Sequence, residues 1–452
     1  MKKFNKDKYL RKLKLKRYWQ NNSRYFYIGI PCLLCCLLCL YFAYSKFFVS
    51  EEQAVIRTTV GDFIYGDVVI SAYIDGEYSN TIPGKDDGYI VEKVSCDNDA
   101  VGKWNNDDWG LLTTNLSKRT KCNVYFKKDP VSNIIAQLDT SGKCPLMNAD
   151  GSVNVTGVEA TNGYLCKAKD VYGDSYYYRG NVTNNYVKFA DKYWRIVRIN
   201  GDGTVRVIYD GTSAHANGES SRDRQIGTSA FNSSYNDNAY VGYMYGQTGA
   251  STYADAHANT NDSTIKAYID NWYKTNIVGT ANEQYLADNV FCNDRSISTY
   301  TTSSNTKLGY GTNSTYYRWA YGPWNGTNYG NMKMILTCPQ KNDAFTVSDT
   351  TNGNGALTYP VGLLSTDEIV LAGGWSASNS GYYLYSGQYW WASSPGVFNG
   401  SNAYVRYVHS SGDADYASDV NFSYGVRPVF NLKAEVLAQG SGTATDPYRI
   451  SS

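Results

Sequence analysis

Histidine is nearly absent: His215, His257 and His409 are the three in a chain of 452 residues. They lie far apart in sequence and none has a metal-type neighbour, so no metal site is expected. No GxxxxGK[ST] occurs and no GxGxxG follows a strand, which argues against nucleotide chemistry. A nucleophile-elbow pattern is missing as well. His409, Asp413 and a serine could form a triad in principle, but triads are recognised by geometry, and serine is too abundant here to be a signal. The expectation is a protein that does not catalyse and holds no cofactor. Methionine is scarce at five, while tyrosine reaches 43 and glycine 41. That balance suits strands and polar loops better than a helical bundle.

The net charge of +1 hides an asymmetry. Residues 1–24 carry ten Lys or Arg and one Asp, leaving 32 basic against 40 acidic residues elsewhere. A mildly acidic bulk opposes nucleic-acid binding, which needs a basic patch on the folded domain. After the basic segment, YFYIGIPCLLCCLLCLYFAYS runs 21 residues without charge. Such a run predicts a transmembrane helix (25–48) with a cytoplasmic basic tail (1–24) and the remainder outside the cell. The rival reading is a cleaved signal peptide, for which Ala43-Tyr44-Ser45 is a poor cleavage site.

Six cysteines lie beyond that segment, and an even count in an extracellular setting reads as disulfides. Neighbour pairing, Cys96–Cys122, Cys144–Cys166 and Cys292–Cys338, is the simplest of the 15 connectivities. Cys32, Cys35, Cys36 and Cys39 share one helical face inside the apolar run. They read as a packing seam of small residues, with a metal site as the alternative.

Residues 49–60 read as a juxtamembrane connector. From 61 to 128, short alternating runs separated by Asn, Asp and Gly predict a small β-sandwich of immunoglobulin-like type. Its WNNDDW turn (Trp104 to Trp109) reads as a polar turn capped by two aromatics, or as a calcium site. Residues 129–175 hold too little apolar material for a core and are expected to be a disulfide-stapled linker. The largest domain, 176–433, opens with two strands joined at Gly201-Asp202-Gly203. Helices are expected at STIKAYIDNWYKTNI, with Tyr268 on the apolar face beside Ile265, Ile269 and Trp272, and at LLSTDEIVLAGG, where Ser365 and Glu368 form a capping box. Several strands with long, uncharged loops follow, then a polar tail (434–452). Sequons at Asn154, Asn181 and Asn325 would suit glycosylation outside the cell but arise readily in Asn- and Thr-rich sequence.

The stretch YWWASSPGVFNGSNAYVRYVHSSGDADYASDV has the Tyr, Ser, Asn and Gly mix of a recognition surface. Strand alternation sends one of Trp390 and Trp391 to the core and the other outward, where it would join Tyr404, Tyr407 and Tyr416 in an aromatic platform. With SYGVRPVFNL and YWRIVRINGDGTVRVI, this WWASSPG stretch resembles a large group of uncharacterised bacterial surface proteins with a C-type-lectin-like fold. That group is related to formylglycine-generating enzymes and to variable proteins of diversity-generating retroelements. The resemblance covers about 176–433 and implies a lectin-like domain with two helices, antiparallel strands and long loops; with the transmembrane helix and small β module read above, the expected fold class is α+β. Neither EPN nor QPD is present, so calcium-dependent sugar binding is not implied. Formylglycine-generating catalysis would need two reactive cysteines, for which Cys292 and Cys338 are the candidates. In the retroelement branch, adenine mutagenesis varies the last strands and loops. The matching positions are Tyr389, Val397, Asn399, Ser401, Asn402, Tyr404, Arg406, Tyr407, His409, Asp413, Asp415, Tyr416, Asp419, Asn421 and Ser423. The expected function is a membrane-anchored adhesin or receptor that binds an extracellular protein or glycan through this face. A fold-related enzyme or a structural coat protein are the alternatives.

Overall fold

The computed structural model describes residues 68–450 apart from 86, 107, 116–119, 300–302, 321–332, 376–377 and 415; of the preceding chain it describes 7, 10–18, 20, 53–55 and 63–65. Two compact units divide it, Met1–Asp129 and Pro130–Ser452.

In the first unit, Thr120–Lys128 alternates strictly, with Thr120, Cys122, Val124 and Phe126 turned inward. It lies between Val68–Ile74, its parallel neighbour, and Tyr89–Cys96, its antiparallel one. A second sheet places Gly110–Thr114 between Gln53–Val55 and Val101–Asn105. Trp104 and Trp109 meet edge to face at 5.4 Å and both pack against Phe126, so the WNNDDW turn is anchored by its aromatics. Cys96 and Cys122 are directly opposed residues of adjacent strands, with Cα atoms 4.0 Å apart. The bridge therefore staples neighbours within one sheet.

The second unit holds two larger antiparallel sheets. One runs Tyr164–Asp170, Gly173–Arg179, Lys192–Ile199, Val205–Gly211 and Val429–Leu432, with Tyr186–Phe189 also on Lys192–Ile199. Residues read as a linker thus supply its first strand, and Cys144–Cys166 ties the preceding loop to that strand. The other sheet runs Thr228–Ala230, Ser423–Gly425, Trp390–Phe398, Ala403–Val408 and Tyr416–Asp419, and its one parallel contact is Trp390 to Gly425. A single apolar cluster joins the two sheets, in which Trp194 stacks on Phe430 at 4.6 Å. The Thr264–Asn276 helix buries Ile265, Ile269 and Tyr273 there; Tyr268, expected on that face, is exposed. Thr366–Ala372 starts on the predicted Ser365–Glu368 capping box and ends at Gly373, whose φ of 120° only glycine adopts freely.

Two expectations are corrected. No helix among the described residues is long and apolar enough to cross a membrane, so the single-pass anchor and the membrane location drawn from it are not supported. The apolar run 25–45 itself, its four cysteines and the connector lie largely outside the described residues. The helical residues 10–18 before it, expected in the basic tail, are exposed and rich in Lys and Arg, so they are not themselves a span. The α+β class also gives way, because the described chain is β-rich with few, short helices. Its Tyr-, Thr- and Val-rich segments are short and interrupted by Gly and Asn, which favours strands and turns over helical turns.

So many loops need internal ties, and buried arginines supply them. Asp210 is fully buried beside Arg224 (2.7 Å), Arg427 (2.9 Å) and Arg195 (4.0 Å). The same guanidinium groups donate to three consecutive carbonyls: Arg224 to Tyr383 and Tyr385, and Arg427 to Leu384. Arg195 donates to the Val182 carbonyl. Burial, with Arg224 close by, pushes Arg427 down to about 9. Removing the one carboxylate would leave the three cations facing each other. Asp210→Ala is expected to cost about 3–5 kcal/mol, read as a lower urea midpoint with an unchanged slope.

Candidate functional site: an aromatic face

The strand Trp390–Phe398 pairs with Ala403–Val408 through a register broken at Pro395. Its alternation does separate Trp390 from Trp391, yet both are buried. Trp390 lies under the Arg427 guanidinium, 5.0 Å from the ring centre. Trp391 donates from Nε1 to the Ser229 carbonyl at 2.9 Å and is covered by other rings. The outward tryptophan expected from the sequence is therefore corrected, because both faces of this central strand are covered.

The covering rings form the site. Tyr424 sits 4.9 Å from Trp391 and 4.7 Å from Tyr407, and Tyr389 stacks on it at 5.5 Å. Tyr407 and Tyr416, opposed residues of adjacent strands, meet at 5.9 Å. His409 contacts Tyr389 edge-on and lies against Tyr416, both at 4.9 Å. Phe422 runs nearly parallel to Tyr424, at 9° and 6.3 Å. Trp391 is the floor, Tyr407 and Tyr424 the middle layer, and Tyr389, His409, Tyr416 and Phe422 the rim. Tyr389, Tyr416 and Phe422 are 42%, 41% and 53% exposed, large values for aromatic side chains gathered in one place.

Burial pushes the Tyr407 hydroxyl up to about 12, so it stays protonated and able to donate. The Ser411 backbone N–H donates to His409 Nδ1 at 3.1 Å, which leaves the ring proton on Nε2, facing Tyr389 Oη at 3.3 Å. Tyr424 Oη pairs with Ser418 Oγ at 3.1 Å.

Of the expected residues, Tyr389, Tyr407, His409 and Tyr416 come together on this face, with exposed Asn421 and Ser423 beside Phe422. Others do not. Tyr404 and Arg406 alternate to the opposite side of their strand, and Arg406 is buried, donating from Nε to the Trp319 carbonyl at 2.8 Å. Asn399 Oδ1 accepts from the backbone of Ser401 and Asn402 and so shapes the hairpin turn. Asn402 Nδ2 donates to Asp419 at 2.6 Å, and Val397 pairs with Tyr316 within the sheet. Asp413 is buried and Asp415 lies outside the described residues. Phe422 and Tyr424 were missed, although their spacing of two across an exposed serine is the alternation that marks a shared face.

Cys292 and Cys338 form a disulfide, so neither offers the free thiol that formylglycine-type chemistry requires. Beside it, a cavity of about 20 Å³ is walled by Arg198, Arg206, Arg318, Asp294, Asp367 and Glu368. That is room for a water molecule, not for an organic substrate.

Residues 331–434 match the protein family described as "Domain of unknown function (DUF6273)". The matched span contains the Trp strand, the aromatic face and Arg427. Neither a curated protein nor a solved structure matches the chain.

Floor and rim should separate experimentally. Trp391→Ala is expected to cost about 3–5 kcal/mol in chemical denaturation, whereas Tyr416→Ala should stay within about 1 kcal/mol of the wild type.

Proposed function

We propose that the second unit is a metal-independent ligand-binding domain that works outside the cell and engages a protein or glycan through the aromatic face. The observation that carries this reading is the grouping of Tyr389, Tyr416 and Phe422, half in solvent, over a rigid floor of buried rings. Rigid aromatics give contact area at little entropic cost, and neutral polar residues at the rim supply adaptable hydrogen bonds. Three disulfides support an oxidising setting. The test is a screen of the full chain against glycan and extracellular-protein arrays, repeated with Tyr416→Ala and Phe422→Ala. Each variant is expected to weaken binding of the selected ligand at least about tenfold with an unchanged fold. Ligands bound equally by wild type and variants would reject the face. Sensitivity to Lys143→Ala instead would move recognition to an open groove of about 500 Å³ between residues 142–148 and 154–159.

The resemblance to retroelement variable proteins makes a separate prediction. In deep sequencing of this gene from one growing population, adenine-directed changes should fall at codons 389, 416, 421 and 423. Codons 391 and 406, whose side chains are buried, should stay fixed. Changes spread evenly across the gene, or none, would remove diversification from the proposal.

A further inference from the structure

His215 is buried, and each of its ring nitrogens faces a carboxylate. Nδ1 lies 2.7 Å from Glu219 Oε1 and Nε2 lies 2.9 Å from Asp223 Oδ2. An ionised carboxylate only accepts, so both contacts are hydrogen bonds only when both ring nitrogens carry a proton. Each carboxylate has further bonds: Glu219 Oε2 accepts from the Ala216 backbone, Asp223 Oδ2 accepts from the Thr212 backbone and Asp223 Oδ1 from the Thr212 hydroxyl. The ring thus closes the loop 212–224 on itself.

That loop supports the chain leading into the aromatic face. Ser221 donates its backbone N–H to the Ser386 carbonyl at 3.0 Å, and Gln388 Nε2 donates to Ser220 Oγ at 3.2 Å. Arg224, next to Asp223, donates to the Tyr383 and Tyr385 carbonyls. Gly387, at a φ of 63°, lies so close that a Cβ there would be 2.1 Å from Ser220 Oγ. Tyr389, on the rim of the face, follows two residues later.

We propose that His215, Glu219 and Asp223 form a proton-operated latch: the doubly protonated ring locks the loop 212–224, and the locked loop orders residues 383–389 and so positions Tyr389. Other elements set the ring's surroundings. Tyr186 Oη donates to the His215 carbonyl at 2.7 Å, and the Arg195 guanidinium lies over the Tyr186 ring and donates to Asn217 in the same loop at 3.0 Å. Asp210 and Arg224 pair behind it. Loss of the ring proton turns a lone pair toward one carboxylate. Glu219, 44% exposed and held otherwise by one bond from the Ala216 backbone, swings away more readily than Asp223, which both the backbone and the hydroxyl of Thr212 hold. At acid pH the carboxylates are the ones that change. The His215 contact holds Glu219 below its usual value; at Asp223 burial pushes upward, and the bonds from His215 and Thr212 overcome it. Their contribution is complete above the ordinary carboxylate range and is lost as pH falls through the lowered values. The latch therefore gives order at 383–389 a bell-shaped pH dependence.

The consequence for recognition rests on the aromatic-face reading; the latch does not, and its test needs no ligand. Hydrogen exchange of the full chain, corrected for intrinsic rates, is followed across pH at residues 212–224 and 383–389. Protection at both is expected to fall about tenfold on the alkaline side. In Glu219→Gln that limb should vanish, because an amide can donate to the deprotonated ring as well as accept from the protonated one. Protection that does not vary with pH, or an alkaline limb that persists in Glu219→Gln, overturns the latch. Nitrogen chemical shifts of the His215 ring give an independent check. A singly protonated ring under conditions where 383–389 is fully protected would also overturn it. A latch that fails while Tyr416→Ala and Phe422→Ala still weaken binding leaves the face intact.

Discussion

Asp210 is the fixed point of the second unit. It stands at the end of a central strand, fully buried, and three arginines from different parts of the chain converge on it. A buried carboxylate facing one arginine would about break even against desolvation. Here the guanidinium groups also satisfy the carbonyls of Tyr383, Leu384 and Tyr385, which belong to no strand or helix. Buried backbone acceptors must be paired, and in a loop only side chains can do it. The network thus allows irregular chain to run through the interior. Arg198 and Arg206 play a similar part around Glu368, which already caps its own helix.

The aromatic face depends on this arrangement. Trp390 lies under Arg427, and Trp391, one residue on, points the opposite way into the rings of Tyr407 and Tyr424. The strand that carries the floor of the face is therefore held from behind by the charged core. The residue just before it, Tyr389, is reached through the segment that Arg224 and the loop 212–224 hold. Burial and exposure are divided between neighbouring residues of this face: buried rings fix the geometry, and exposed ones form its rim.

Much of this was legible in the residues themselves. The three disulfides follow the neighbour pairing. The capping box at Ser365 and the Gly373 stop follow from local backbone chemistry, as does the hairpin turn at Gly201-Asp202-Gly203. Tyr389, Tyr407 and Tyr416 could be singled out because composition marks contact-prone segments. Local patterns did not reveal which residues would be covered. Alternation assigns Trp390 and Trp391 to opposite sides, but whether a side meets solvent depends on what packs there, and Phe231 and Tyr424 come from other segments of the chain.

The sequence by itself determined the short strands, the caps and the crosslinks, and it marked the Tyr-rich stretch that carries the aromatic face, because each rests on interactions between residues close along the chain or on side-chain chemistry alone. Only the tertiary structure decided that Arg406 is buried and Phe422 exposed, and that His215 bridges two carboxylates. It alone brought three arginines to Asp210. Those outcomes depend on contacts between segments more than two hundred residues apart, such as Arg427 with Asp210, and burial there is settled by the fold as a whole rather than by any local pattern.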